Sequence, residues 1–351
     1  MSDKIQIMRP SFFHHLHPPT IPAAQSRWRY TLGAGGTAIF LALILTITGA
    51  LEMFYYIPTP DQAAISIQTI TYFVPFGALL RNLHFWAAQL FIIVSAVHLV
   101  RVVFTGAYIP PRRFNYLLGL ALFVISILLN FTGYILRWDQ GIQWALVVGT
   151  NLIKTIPFIG DSLYQALIGG TQPGSATLIR FYAWHIFGLM LPAAFLVGWH
   201  AFRVRREGGI ALPPPTLRTD SERITRNELV RREILAMLFT GSALLVLSIF
   251  TPAPIAPPII EMSPLSGEVR APWFFLWVQQ MLKWGDPFFW GVLIPVIILI
   301  ILILIPYIFP RPAESELGRW FPKSSGLAQV TLAIIAVAII VLTLLALIPI
   351  K

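Results

Sequence analysis

The chain contains no cysteine and few charged residues. Without cysteine it cannot form disulfides, hold a cysteine-ligated iron–sulfur cluster or attach a c-type haem covalently, so such centres would belong to other subunits. Charged residues make up 11% of the 351 residues, against about 25% in ordinary soluble domains. Hydrophobic residues make up 56%. This composition excludes a soluble globule and indicates a protein surrounded largely by lipid.

Seven apolar stretches are each long enough to span a bilayer as a helix, which takes about 20 residues. They predict an all-α membrane protein with seven transmembrane helices. The first four would form a bundle within residues 30–210, after an N-terminal segment at 1–29. The last three would lie within residues 230–351, after a linker at 211–229. We call the stretches A, Tyr30–Tyr56; B, Leu79–Phe104; C, Phe114–Leu136; D, Arg180–Phe202; E, Ile234–Phe250; F, Phe288–Ile308; and G, Leu327–Ile348.

Arginine and lysine concentrate at the N-terminus and in the B–C, D–E and F–G loops. The positive-inside rule then places the N-terminus in the cytoplasm and Lys351 outside. The net charge of +10 therefore reports topology, and we expect no nucleic-acid partner. The long C–D loop contains two amphipathic runs, Ile142–Ile153 and Ser162–Ile168, which we expect to lie on the outer membrane surface.

Four of the seven histidines lie inside segments B and D, namely His84, His98, His185 and His200. An ionisable side chain in the hydrocarbon region indicates a functional site. A single histidine can be explained as a hydrogen bond between helices, but two matched pairs are hard to explain in that way. The histidines therefore predict a metal centre.

The spacing of the histidines predicts how they pair. His84 and His98 are 14 residues apart, which returns to nearly the same helix face after about 21 Å. His185 and His200 are 15 residues apart, or about 22 Å. Because B and D run in the same direction, His84 would pair with His185 near the outer side. His98 would pair with His200 near the inner side, and each pair can ligate one metal axially from opposite sides.

Glycines repeat at a matching interval on the neighbouring segments. Gly35 and Gly49 in A are 14 residues apart, and so are Gly119 and Gly133 in C. Glycine allows close approach where a side chain would clash, so these four positions would make room for a large flat cofactor. Glycines also serve helix packing in membranes, and the argument rests on the coincidence of all four spacings.

Three arginines lie close to the histidines in sequence. Arg81 and Arg101 are each three residues from a predicted ligand and therefore on a neighbouring face, and Arg180 is five residues before His185. An arginine there can pair with an acidic group of a cofactor, such as a haem propionate. Snorkelling to the membrane interface is the alternative, and for Arg180 the two interpretations are equally good.

At these residues the chain resembles the cytochrome b family of the bc1 and b6f complexes. The gap between His185 and His200, and the Trp-Asp-Gln at residues 138–140, are similar to cytochrome b6. Segments E to G resemble subunit IV of the b6f complex, here fused into one chain. The matching stretches are Gly35–Gly49, Arg81–His84, His98–Arg101, Gly133–Gln140 and Arg180–His185.

The resemblance implies a function in a prokaryotic cytoplasmic membrane. Quinol would be oxidised at the outer side, with one electron passing to a Rieske iron–sulfur protein and on to a c-type or multihaem cytochrome. The other would cross through two b haems, the outer held by His84 and His185 and the inner by His98 and His200, to an inner quinone. Proton translocation would accompany this transfer, and the complex is expected to be dimeric.

The expected outer quinol site departs from the family pattern. It would include Trp273 and Tyr134, but the usual Pro-Glu-Trp-Tyr is replaced by Ala-Pro-Trp-Phe at residues 271–274. Pro272 cannot take a proton from quinol, a step that needs an ionisable group. Glu268, a few residues upstream, can substitute for the missing acid, or it can be an ordinary solvated loop residue.

Two further features bear on the quinone sites. Arg137 replaces the proline usual after helix C, which places a cation at the rim of the outer site. At the inner site we expect Arg205 and Arg206 to contact quinone, although positive-inside charge also explains them. An altered outer site leaves one alternative function, an electron-wire subunit that joins quinone to a periplasmic molybdoenzyme or multihaem cytochrome. A transporter with proton-carrying histidines is the alternative from another class.

Overall fold

The computed structural model describes residues 12–217, 222–259 and 270–348. Within them, seven helices are long and apolar enough to cross a membrane, which confirms the predicted fold class. They match segments A to G in order. We number them α1, Ala34–Glu52; α2, Gly77–Phe104; α3, Arg113–Ile135; α4, Ser175–Arg206; α5, Arg226–Phe250; α6, Phe289–Ile308; and α7, Lys323–Leu347.

The helix ends differ from the predicted ends where the backbone or the polar residues decide them. Helix α1 begins at Ala34 and not at Tyr30, because Leu32 and Gly33 adopt left-handed conformations that interrupt the helix. Helix α5 begins eight residues before the apolar stretch, at Arg226. There the Thr225 hydroxyl accepts a hydrogen bond from the Glu228 amide at 3.3 Å, which caps the helix.

A π-helical segment interrupts α4 at Trp184–Met190; it includes His185 and ends ten residues before His200. Pro192 follows it, and a proline cannot donate the usual backbone hydrogen bond and clashes with the preceding turn. A π-helical turn accommodates one extra residue. The 15 residues from His185 to His200 therefore cover about the same distance and rotation along α4 as the 14 residues from His84 to His98 cover along α2. As a result, each histidine of α4 stays level with its partner on α2.

Helix α2 lies at the centre of the molecule. It packs against α1, α3 and α5, and α3 packs against α4. Leu41, Ala87 and Leu244 are fully buried where α1, α2 and α5 meet. At the other end of α2, a second core cluster joins α2, α3, α6 and α7, and the Tyr116 hydroxyl donates to the Leu302 carbonyl at 2.8 Å. The four-helix bundle is thus covered by the last three helices.

Shorter elements fill the loops. The two runs predicted in the C–D loop form helices at Gln143–Lys154 and Gly160–Ile168. Helices at Ala63–Tyr72 and Leu276–Leu282 were not predicted. Strands β1, Thr20–Pro22, and β2, Arg223–Thr225, pair antiparallel. The remaining helical turns are Phe12–Leu16, Ala23–Ser26, Trp28–Thr31, Pro215–Leu217, Trp273–Phe275 and Glu314–Glu316.

Polar side chains of α2 hold the segment that follows α5. Asn82 donates to the Ser248 carbonyl at 2.9 Å and accepts from the Ala253 amide at 2.9 Å. The Trp86 indole donates to the Thr251 carbonyl at 2.7 Å. Buried backbone groups need such partners in a membrane, so these bonds fix the chain after α5 beside the histidine-bearing helix.

Candidate metal centres in the helical bundle

The two histidines of α2 each face a glycine of α1. A Cβ atom added to Gly49 would lie 3.0 Å from Cε1 of His84, and one added to Gly35 would lie 3.2 Å from Cε1 of His98. Both contacts are tighter than carbon atoms normally allow. A side chain at either glycine would therefore displace the imidazole.

The histidines of α4 meet the glycines of α3 in the same way. A Cβ atom added to Gly133 would lie 3.0 Å from Cε1 of His185, and one added to Gly119 would lie 3.1 Å from Cε1 of His200. All four predicted histidines and all four predicted glycines are therefore brought together one to one. The glycines make room for the imidazole rings themselves, a closer role than the space for a flat cofactor expected from the sequence.

The rings of His98 and His200 face each other across the bundle. Their centroids are 6.4 Å apart and their planes are inclined by 80°. Two metal–imidazole bonds of about 2.0 Å each, plus the half-widths of two rings, require a separation of about 6 Å. This spacing fits one metal bound axially between the two rings. Within the described ranges, no three or more His, Cys, Asp or Glu side chains are grouped so that they could hold a metal ion. A pair of histidines is enough for a haem iron, because the porphyrin supplies the other ligands.

Hydroxyl groups orient the histidines of the other pair. Nδ1 of His84 lies 2.8 Å from Oγ1 of Thr48, and Nδ1 of His185 lies 2.9 Å from Oγ1 of Thr132. Each hydroxyl also lies within hydrogen-bond distance of carbonyls of its own helix, at 2.7 Å from Ile44 for Thr48 and 2.9 Å from Leu128 for Thr132. Since those carbonyls take the hydroxyl hydrogens, the Thr oxygens accept from Nδ1–H. Nε2 then carries the free lone pair that a metal needs.

A cavity of about 540 Å³ lies beside His84 and His185, bounded by α1, α2, α3 and α4. Its wall is mainly aliphatic and aromatic, as expected for a site that holds a large apolar cofactor. Gly49 and Gly133 line it as well. A cavity of this character next to an oriented pair of imidazoles fits a b haem.

The three arginines occupy different surroundings. Arg81 lines the cavity, and its guanidinium donates to the carbonyls of Ala253, at 3.1 Å, and Pro254. Arg180 donates to the carbonyls of Gln165, at 3.3 Å, and Ala166, and it does not line the cavity.

Arg101 is buried, with Nε donating to the Tyr30 carbonyl at 3.2 Å and the guanidinium 4.5 Å above the Tyr30 ring. Its Nη2 is buried without a hydrogen-bond partner among the described residues. A buried guanidinium nitrogen needs an acceptor. Three residues from His98, this atom is suited to an anionic group of a cofactor, such as a haem propionate.

The two residues predicted for the outer quinol site line the same cavity. The Tyr134 hydroxyl donates to the Gly141 carbonyl at 2.7 Å. The Trp273 indole donates to Oε1 of Gln89 at 2.7 Å, and Gln89 in turn donates to Asn130 at 3.3 Å. Sequence analysis missed this polar chain, although two amides inside predicted membrane helices were a signal for it.

Glu52 is a further residue that was not predicted from the sequence. It lies at the end of α1 and lines the cavity with Trp273 and Pro272. Oε1 of Glu52 is buried and has no hydrogen-bond partner in the described part of the chain. Glu268, the acid expected from the sequence, lies outside the described residues.

Arg137, at the rim of the cavity, is paired with an acid. Its guanidinium donates to Oδ2 of Asp139 at 2.6 Å and 3.0 Å, and both side chains are largely buried. The same carboxylate accepts from the Ala256 amide at 3.2 Å. The cation that replaces the usual proline is therefore neutralised, and the pair fixes the loop after α5.

Arg205 and Arg206 lie in the last turn of α4, on the side of the His98–His200 pair. Arg205 is partly buried and lies near Glu233 of α5. Arg206 is exposed. The structure thus places Arg205 near Glu233 in a partly buried position, while the neighbouring Arg206 is exposed.

The fold and the site define a class of membrane protein. It is a helical bundle with paired histidines, each facing a glycine, and such pairs are suited to holding a haem. The comparisons place this chain within that class. A family model described as "Cytochrome b(N-terminal)/b6/petB" matches residues 89–262. The chain is 40% identical over 177 residues to the cytochrome b6 of Heliobacterium modesticaldum (strain ATCC 51547 / Ice1), which covers 50% of this chain and 82% of that relative. It is 37% identical over 174 residues to the cytochrome b6 of Synechococcus elongatus, with 50% and 81% covered.

The whole fold also has a counterpart of known structure. A chain of a "Hyperthermophilic respiratory Complex III" superposes with a TM-score of 0.80 at 21% identity, covering 92% of this chain and 85% of that one. The chain therefore belongs to the cytochrome b family of bc and b6f complexes, as the sequence predicted. It is a multi-pass membrane protein of electron transport, a cytochrome b subunit of a bc-type complex, and membership of the family implies b haems.

Proposed function

We propose that this chain carries electrons across a prokaryotic cytoplasmic membrane between an outer quinol-oxidising site and an inner quinone site, coupled to proton translocation. His84 and His185 hold the outer b haem, and His98 and His200 hold the inner one. The observation that carries the proposal is the one-to-one contact of four histidines with four glycines at two levels of one bundle. One-electron redox chemistry is what the haems supply when bound.

Other residues of this chain orient the histidines and bind the haem propionates. Thr48 and Thr132 hold the outer imidazoles with Nε2 unprotonated. Arg101 offers to an inner propionate its Nη2, which has no hydrogen-bond partner among the described residues, and Arg81 lines the wall of the outer cavity. Arg205 and Arg206 supply positive charge at the inner quinone site. We assign Arg180 to holding the helix Gly160–Ile168, since its guanidinium donates to carbonyls at the end of that helix.

The outer site needs a group that accepts a proton from quinol. Trp273 and Tyr134 line the cavity, but their own hydrogen-bond donors are engaged with Gln89 and Gly141. Glu52 provides a carboxylate in the same cavity, and one of its oxygens has no hydrogen-bond partner in the described part of the chain. We assign the proton acceptance to Glu52, which takes the place of the acid missing at Pro272. Glu268 is the competing assignment.

The assembly that follows from this function has partners. One electron from quinol passes to a Rieske iron–sulfur protein and then to a c-type or multihaem cytochrome, because this chain has no cysteine to hold a cluster or a covalent haem. A dimeric complex is proposed by analogy with the family. We also propose that the segment 211–229, whose last four residues form the first turn of α5, divides a di-haem part, residues 30–210, from a part resembling subunit IV, residues 230–351.

Purification from native membranes tests the function. The dithionite-reduced complex is expected to show a b-type absorbance band with two haems for each copy of this chain, and a Rieske protein is expected to copurify. Haem content by pyridine haemochrome assay and subunit identification by mass spectrometry provide the measurements. Absence of b haem would refute the proposal, and two haems without a Rieske partner would refute its assignment of the electron acceptor.

Adjacent glycines provide a matched test of the inner haem site. Gly35→Val is expected to displace His98 and to lower haem content towards one per chain, because a Cβ at Gly35 already lies 3.2 Å from the ring. Gly36→Val is the control, since nothing lies within 4 Å of a Cβ there, and both variants carry the same helix-propensity cost. Equal haem content in the two variants would contradict the role assigned to Gly35.

A further inference from the structure

The two pairs of histidines differ in what their Nδ1 atoms contact. In the outer pair each Nδ1 meets a threonine hydroxyl, at 2.8 Å and 2.9 Å. In the inner pair, Nδ1 of His98 is buried without a hydrogen-bond partner among the described residues. Nδ1 of His200 is likewise buried and meets no side-chain hydrogen-bond partner among the described residues. The haem environments are therefore asymmetric, although the glycines around them are equivalent.

The asymmetry has a simple origin in the sequence. The threonines immediately precede the outer glycines, at Thr48–Gly49 and Thr132–Gly133. The corresponding residues before the inner glycines, Gly35 and Gly119, are Ala34 and Leu118, whose side chains offer no hydrogen-bond acceptor. One position on each flanking helix thus decides whether the facing imidazole has a hydroxyl acceptor.

An acceptor at Nδ1–H changes the chemistry of Nε2. The hydrogen bond draws the proton away from the ring and makes Nε2 a stronger electron donor to a metal. Stronger axial donation stabilises ferric over ferrous iron and lowers the reduction potential, and hydrogen bonding to the ligand is one of the means by which proteins tune haem. Two such bonds act on the outer haem, one from each side.

We propose that Thr48 and Thr132 are positioning residues that lower the reduction potential of the outer haem below that of the inner haem. The inference rests on the proposed function, in which the outer haem lies between His84 and His185. An electron that enters at the outer haem then moves to a centre of higher potential. The direction of transfer is set in part by two hydroxyl groups of this chain, independently of any partner.

The test is a potentiometric titration of the b-type absorbance in the purified complex. The double variant Thr48→Val and Thr132→Val keeps the shape of each side chain and removes both acceptors. The reduction potential of the lower-potential haem is expected to rise. For this one-electron couple, a tenfold change in the ratio of reduced to oxidised iron corresponds to about 59 mV. Each single variant should give a smaller rise in the potential of the same haem, while that of the other haem stays unchanged.

Thr46→Val is the matched control on the same helix. The Thr46 hydroxyl donates to the Ala42 carbonyl at 2.8 Å and has no hydrogen bond to a histidine of the described ranges, so this variant should leave both potentials unchanged. Thr48→Ser and Thr132→Ser keep the hydroxyl and should keep the low potential. If a valine variant loses the outer haem and the serine variant restores it at the original potential, the positioning role is also supported.

Two results would overturn the inference. One is a double valine variant that keeps both haems at the potentials of the unmodified complex. The other is an equal rise in Thr46→Val, which would point to a general effect of lost hydroxyls. Neither result would affect the proposed function, which instead fails if the unmodified complex contains no b haem.

Discussion

Replacing His200 with alanine is expected to reduce haem content from two per chain to one and to stop electron transfer between the quinone sites. In the proposed arrangement, the haem at His98 and His200 would lose one of the two histidines that hold it, whose rings are 6.4 Å apart, while His84 and His185 remain in place. Changes of partners outside the ligand shell already cost roughly 10- to 100-fold, so loss of a ligand should lower quinol turnover by about 100-fold or more. Haemochrome assay and steady-state turnover measure the two effects.

His15 supplies the control for this substitution. Its ring stacks on Phe202 at 4.4 Å, and its Nε2 lies 3.3 Å from the Phe202 carbonyl, so it lies at the same end of α4 without belonging to a pair. His15→Ala should keep both haems. Two haems in the His200→Ala protein would show that His200 is not a ligand, and haem loss in both variants would indicate damage to that end of the helix.

Glu52→Gln is expected to slow quinol oxidation while both haems remain bound. Glutamine keeps the size of the side chain but cannot accept a proton, and general-base catalysis is worth roughly 10²- to 10⁴-fold. The unmodified complex should lose activity as the pH falls through the pKa of this carboxylate, because only the ionised form accepts a proton. The variant should lack that acidic limb, which steady-state rates across a pH series will reveal.

Glu268→Gln is the companion variant, because Glu268 is the other acid proposed for this step. Unchanged turnover is expected there. Normal turnover in Glu52→Gln together with a loss in Glu268→Gln would transfer the role to Glu268. If both variants retain full rates and the acidic limb, neither carboxylate accepts the proton, and the assignment fails while haem binding stands.

Much of the fold and the histidine pairing could be predicted from the sequence because both depend on periodicity. Apolar runs of about 20 residues indicate helices that span a bilayer, and residues 14 apart on a helix lie on nearly the same face. The extra residue between His185 and His200 was visible, but the π-helical turn that absorbs it was not, since it depends on the packing around Pro192.

The residues that tune the site were harder to find because their roles depend on other helices. Nothing in the sequence near Thr48 indicates that its hydroxyl meets a ring 36 positions away. Glu52 lies at the end of an apolar run, where a charged residue is common. Its place in the cavity depends on the packing of α1 near Trp273, which the sequence alone does not show. Arg180, close to His185 in sequence, illustrates the reverse case, since its guanidinium turns to the end of another helix.

The bonds from α2 to the segment after α5 have a consequence for how the chain is joined. Asn82 and Trp86 hold that segment through its backbone, and Leu244 is buried between α1 and α2. These contacts would persist if the peptide bond between the two parts were absent. The contacts between helices, and not the covalent connection through residues 211–229, therefore hold the two parts together. The same molecule can be assembled from two polypeptides that recognise each other inside the membrane.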